Sequence, residues 1–113
     1  MIRFVGAGGS ITDSCSNAIV FQQSQGQLIG IHNGEPIAVD PGVPHILLSP
    51  APGSISTDFE ITHSLLDWVN SSFFNGFAGF CQLDDEIYAT FTAAGGPGGA
   101  DNCEAIQLMA YPR

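Results

Sequence analysis

The chain has 113 residues, 44 % of them apolar, and a formal net charge of −9 from eleven carboxylates against two cations, Arg3 and Arg113. That is one domain's worth of chain, here residues 1–113, with enough apolar content to close a core, which excludes a disordered chain. Nucleic acid is excluded as a natural partner because phosphate recognition needs clustered Lys and Arg, and the same balance argues against anionic membrane surfaces; with no lysine present, a Schiff-base amine, a P-loop and a Lys–Asn isopeptide crosslink are excluded too.

Along the chain, apolar residues alternate or run in short blocks bounded by Gly, Pro, Asn and Asp, the pattern of strands. Residues 2–5 form the first, halted by Gly6-Ala-Gly-Gly9. Asp13, Ser14 and Ser16 are helix-capping types and suggest a single helical turn over 10–17. Strands over 18–23 and 27–32 flank Ser24-Gln-Gly26. Asn33-Gly34 is the best short hairpin signal, since both residues tolerate positive φ. The return over 35–39 carries Pro36, which cannot donate to a ladder, so this hairpin belongs at a sheet edge. Asp40-Pro-Gly42 turns again.

Further strands are expected over 45–48, 55–62 and 65–70, with a break near His63-Ser64. Residues 76–83 and 86–92 flank Asp84-Asp85 as a hairpin. The glycine-rich stretch 94–102 reads as a flexible loop with nothing to pack, and 105–110 is the last strand. About nine or ten short strands at even spacing predict an all-β, single-domain antiparallel β-sandwich of jelly-roll type, with a closed β-barrel as the alternative. No segment reaches the roughly 18–20 apolar residues of a membrane span, so no membrane insertion is expected.

Three cysteines allow three single bridges and leave one thiol over. The reading favours Cys81–Cys103, which leaves Cys15 as a buried thiol or a partner for a residue elsewhere. The N-terminus lacks the roughly 7–15-residue apolar core of a signal peptide. The expectation is a domain cut from a larger secreted chain, from the Cys pair, the sequon Asn70-Ser71-Ser72 and the lysine-free surface together. The alternative is a cytosolic protein with its own start codon.

Each candidate site residue has a structural counterpart. Trp68 is a sugar-stacking platform if exposed, but it shares a strand face with Leu66 and is then core. Phe73 and Phe74 lie near the Asn75-Gly76 turn, where exposure is easiest. Tyr88 and Tyr111 carry a polar handle suited to half-buried positions and to a glycan hydroxyl. Gln25, His32 and Asn33 belong to an amide-rich stretch on the first two hairpins.

Asp84, Asp85 and Asp101 are calcium candidates, against a plain solvated tip. Otherwise no metal and no cofactor is expected: His32, His45 and His63 are scattered, and no Cys-x-x-Cys occurs. Asp58, Glu60 and Asp67 qualify for glycoside hydrolysis only as acids. Gly-x-Ser-x-Gly is absent. Catalytic residues are therefore assigned to none. Asn70 is the glycosylation candidate; if modified it must face solvent, which conflicts with its sharing a strand face with Trp68 unless it sits just past the end of the strand.

An early Phe-containing strand, Gly26-x-Leu28, Leu66-x-Trp68-x-Asn70, Phe73, Gly76-x-Ala78-x-Phe80-Cys81, Ile87-Tyr88-Ala89-x-Phe91 and Cys103 together resemble a domain of unknown function found in secreted, cell-wall-associated fungal proteins. Such domains often sit beside Ser/Thr/Pro-rich tails. The similarity spans nearly the whole chain and is specific from Leu66 to Cys103; Cys15 departs from it. The resemblance implies an extracellular, wall-associated role with no established catalytic residues.

The surface has few charges and many Gln, Asn, Ser and Thr groups, which suits hydroxyl-rich neutral partners. The expected function is non-catalytic binding of cell-wall polysaccharide or cell-surface glycan. The alternatives are a structural spacer or adhesin domain without a small ligand and, behind it, a small hydrolase. The sequence assigns no oligomeric state.

Overall fold

The computed structural model describes residues 4–14, 16, 18–31, 34–99 and 102–110. Ten strands occur there: β1 (Phe4–Val5), β2 (Ile11–Thr12), β3 (Phe21–Ser24), β4 (Gln27–Gly30), β5 (His45–Leu47), β6 (Phe59–Thr62), β7 (Leu65–Trp68), β8 (Gly79–Leu83), β9 (Glu86–Thr90) and β10 (Glu104–Ile106). All pairings are antiparallel. One sheet has four strands in the order β10-β8-β9-β5, and β1-β2, β3-β4 and β6-β7 form two-stranded ribbons. The architecture is sandwich-like, and no barrel closes.

Three of the hairpins turn on two residues that both have positive φ: Gln25–Gly26 (52° and 79°), His63–Ser64 (51° and 68°) and Asp84–Asp85 (52° and 62°). Such turns match the right-handed twist of the strands they join. Only Gly26 does so without a Cβ in the left-handed region. Around Gly34 the chain closes a wider loop, through Gly34 N–H to Gly30 O and Gly30 N–H to Glu35 O (2.9 Å each). The return strand expected over 35–39 shrinks to two isolated bridges, Pro36 with Ile29 and Val39 with Ile55. Pro36 itself is no break there: Gly30 N–H to Glu35 O and Ile37 N–H to Leu28 O flank the bridge, and its own C=O accepts from Ala51 N–H on the opposite side; the pairing ends because the chain beyond Ile37 leaves β4.

Within the stretch 10–17, where a helical turn is expected, β2 takes Ile11–Thr12, and Ser16 has 3₁₀ conformation. Ile11 N–H donates to Asp85 O at 2.9 Å, and Ser10 bridges Glu86. Pairing with a distant hairpin tip thus claims the residues just before the capping types Asp13 and Ser14. Cys15 lies outside the described residues.

The core fills the space between the inner face of the large sheet (Phe80, Ile87, Ala89, Phe91) and the ribbons that carry Leu28, Phe59 and Trp68. Trp68 is its centre at 0 % exposure. Phe59 stacks on it at 4.4 Å, and Phe73 and Phe91 meet it edge-on at 5.2 and 5.3 Å. Its indole N–H donates to Thr57 O at 3.0 Å, so the one polar atom of the ring is satisfied.

Cys81 and Cys103 form the disulfide, with Cα atoms 5.5 Å apart. It clamps the approach to β10 onto β8, where Ala105 pairs with Cys81. The glycine-rich loop covers it. Gly96 is buried, and a Cβ there would lie 2.6 Å from Cys81 Sγ and 2.8 Å from Cys103 Sγ. At Gly96 the loop is therefore packed, where a flexible loop with nothing to pack is expected: the disulfide fills the space that glycine leaves.

Candidate functional site

Two ties join β7 to its neighbours on the side away from β6. Val69 bridges Phe77, with Ala78 N–H donating to Trp68 O; Leu65 bridges Met109, with Leu66 N–H donating to Leu108 O. Between these ties the strands part, and β8 continues instead along β10, where Ile106 pairs with Phe80. The opening is a groove of about 200 Å³ lined by Leu66, Phe80 and Ile106, with Phe77, Asp67 and Gln107 among its other walls. Phe77 is 55 % exposed, and Asp67 and Gln107 are exposed as well. The site thus offers a phenyl ring, a carboxylate and a carboxamide around an apolar floor.

Phe77 faces outward because of strand alternation. Ala78 and Phe80 point into the core, so the residue before Ala78 must point away from it. Core packing is the default for a phenylalanine in a cluster with Phe73, Phe74 and Phe80; the spacing Ala78-x-Phe80 carries the contrary signal for Phe77. A second groove, of about 260 Å³ between Pro36 and Pro52, has no aromatic ring in its lining.

The other predicted site residues are dispersed. Trp68 and Phe73 are buried, which withdraws both as surface platforms: their rings are spent on the core. Phe74 is 54 % exposed on the short 3₁₀ turn Phe74–Gly76. Gln25 is exposed at the tip of the β3–β4 hairpin. His32, Asn33, Asp101 and Tyr111 lie outside the described residues.

Tyr88 is half-buried on the outer face of the large sheet, and its hydroxyl donates to Glu86 Oε1 at 3.3 Å. Loss of hydration pushes the phenol's pKa above its ordinary value, and the negative charges of Glu86 and Asp84 push it the same way. His45 meets the Tyr88 ring edge-on at 5.8 Å.

Asp84 and Asp85 project from the β8–β9 tip. Among the described residues no three His, Cys, Asp or Glu side chains are gathered as a metal site requires. Asp84 and Asp85 are exposed there, and Asp101, the third calcium candidate, lies outside the described residues. Glu60 and Asp67 face each other across β6–β7, but both are exposed and no cleft encloses them.

Asn70 lies past the end of β7, as its sequon requires. Its N–H donates to Gly76 O at 2.9 Å, and its C=O accepts from Phe73 N–H at 3.0 Å. Its side-chain Oδ1 accepts from Ser72 N–H at 2.8 Å.

Among the described residues no helix is long and apolar enough to cross a membrane. Fold and sulfur clamp define the class: an all-β domain stapled by one disulfide. The chain belongs to the family described as a domain of unknown function (DUF7908), whose model matches residues 1–113. No curated protein and no solved structure matches it.

Proposed function

We propose that this domain is a non-catalytic extracellular module of a secreted, cell-wall-associated fungal protein, and that it binds neutral polysaccharide or cell-surface glycan. The observation that carries the reading is Phe77, an exposed ring on the wall of a groove shared with Asp67 and Gln107. A phenyl face matches the apolar face of a pyranose, and the carboxylate and carboxamide match its hydroxyls. At about 200 Å³ the groove is smaller than the roughly 300–1,000 Å³ of sites that enclose a ligand. It suits a partner touched one ring at a time. The disulfide supports an oxidising compartment, and the lysine-free surface supports a neutral partner over an anionic one.

The test is retention on insoluble chitin, β-glucan and cellulose, with thermal melts in matching soluble oligosaccharides. Retention on at least one polymer, with a rise in melting temperature, is expected. The competing reading is a structural spacer or adhesin domain without a small ligand, favoured by the burial of Trp68 and Phe73. It predicts no retention and melts indifferent to sugar.

A further inference from the structure

We infer that Asn70 is an N-glycan acceptor whose local geometry is already set for modification. The inference rests on the extracellular part of the reading above and not on glycan binding at Phe77.

Asn70-Ser71-Ser72 is the one Asn-x-Ser/Thr in the sequence. A sequon inside a paired strand is inaccessible, but β7 ends at Trp68. Asn70 follows the last bridge, Val69 with Phe77, and Ser71 and Ser72 are exposed. The main chain is held at both ends of the residue, by Gly76 O and Phe73 N–H. The side chain is held as well: Oδ1 takes the Ser72 N–H at 2.8 Å. That bond closes an Asx turn. It occupies the carboxamide oxygen and leaves Nδ2 as the atom that reacts.

The step is a glycosyl transfer from a lipid-pyrophosphate-linked oligosaccharide. Nδ2 forms a bond to the anomeric carbon, the bond from that carbon to the pyrophosphate oxygen breaks, the lipid pyrophosphate leaves, and one amide proton is lost. A chain with eleven carboxylates and two cations gains an uncharged, hydrated cover at this loop.

The test is expression behind a secretory leader in a eukaryotic host, followed by intact mass and peptide mapping before and after peptide N-glycosidase. The expected result is a glycan on the peptide containing Asn70 that the enzyme removes, converting the residue to aspartate. Asn70→Gln and Ser72→Ala are expected to abolish the added mass. Ser72→Ala is the cleaner variant, because the N–H that closes the turn survives and only the hydroxyl is lost. A secreted, folded wild-type chain whose Asn70 peptide is unmodified overturns the inference, as does undiminished glycan on Ser72→Ala. Polysaccharide retention reports separately on the glycan-binding reading.

Discussion

Glu60 and Asp67 are directly opposed across the β6–β7 ribbon, a like-charge pair on an exposed face. Opposed like charges destabilise a ribbon, and opposite charges contribute about 0.2–1 kcal/mol. Glu60→Lys is therefore expected to raise the melting temperature by about 1–8 °C at low salt, given about 4–8 °C per kcal/mol for a domain near this size. The gain should shrink as ionic strength rises. Thermal melts at two salt concentrations check it, and an unchanged or lower melting temperature contradicts it.

Trp68 holds three phenylalanine rings and one backbone acceptor. Trp68→Ala should cost about 3–5 kcal/mol, a large share of the roughly 5–15 kcal/mol that stabilises a domain. Trp68→Phe keeps much of the apolar contact but leaves Thr57 O without its donor, so it should fall between wild type and Trp68→Ala. Denaturant midpoints check the order.

The disulfide and Gly96 act as one unit. Removing both sulfurs by Cys81→Ala with Cys103→Ala should cost about 2–5 kcal/mol. Gly96→Ala in the wild type forces a methyl within 3 Å of both sulfurs, and overpacking of that kind costs about 1–3 kcal/mol. In the cysteine-free background the same substitution should cost less, because both clashing sulfurs are gone and only the Cβ at position 103, 2.8 Å away, remains. A double-mutant cycle measures the coupling; additive costs would place the loop elsewhere.

Tyr88 sets a pH limit. Its phenol is raised above the ordinary value of 10.0, by lost hydration first and then by Glu86 and Asp84. Above pH 10 the unfolded chain gives up this proton before the folded one does, so stability falls with rising pH until the folded phenol ionises. Below pH 10 the contribution is fully present. Glu86→Gln, measured in a Tyr111→Phe background by phenolate absorbance, should move the Tyr88 midpoint back toward 10. An unchanged midpoint would contradict the role of Glu86.

Much of this fold is legible from local chemistry. Gln25–Gly26 and Asp84–Asp85 turn where turn-forming residues interrupt apolar alternation, and Leu66-x-Trp68 points its aromatic inward by period two. The favoured sulfur pair forms. What is not legible depends on distant partners. Ile11 becomes a strand because the 84–85 tip offers it a carbonyl. Gly96 is packed because two sulfurs arrive beneath it. Phe77 is outward by the alternation that Ala78-x-Phe80 signals, but the groove beside it opens because β7 and β8 part at that point, which no window of sequence reveals.

The most direct measurement of the central claim is the affinity of wild type, Phe74→Ala and Phe77→Ala for the insoluble polysaccharide that retains the domain best. The account predicts that Phe77→Ala weakens binding about tenfold or more, about 1.4 kcal/mol, with its melting temperature nearly unchanged because the ring is exposed. Phe74→Ala, which lies outside the groove lining, should bind nearly as wild type. Equal retention of wild type and Phe77→Ala, or no retention of either on any polymer, contradicts it.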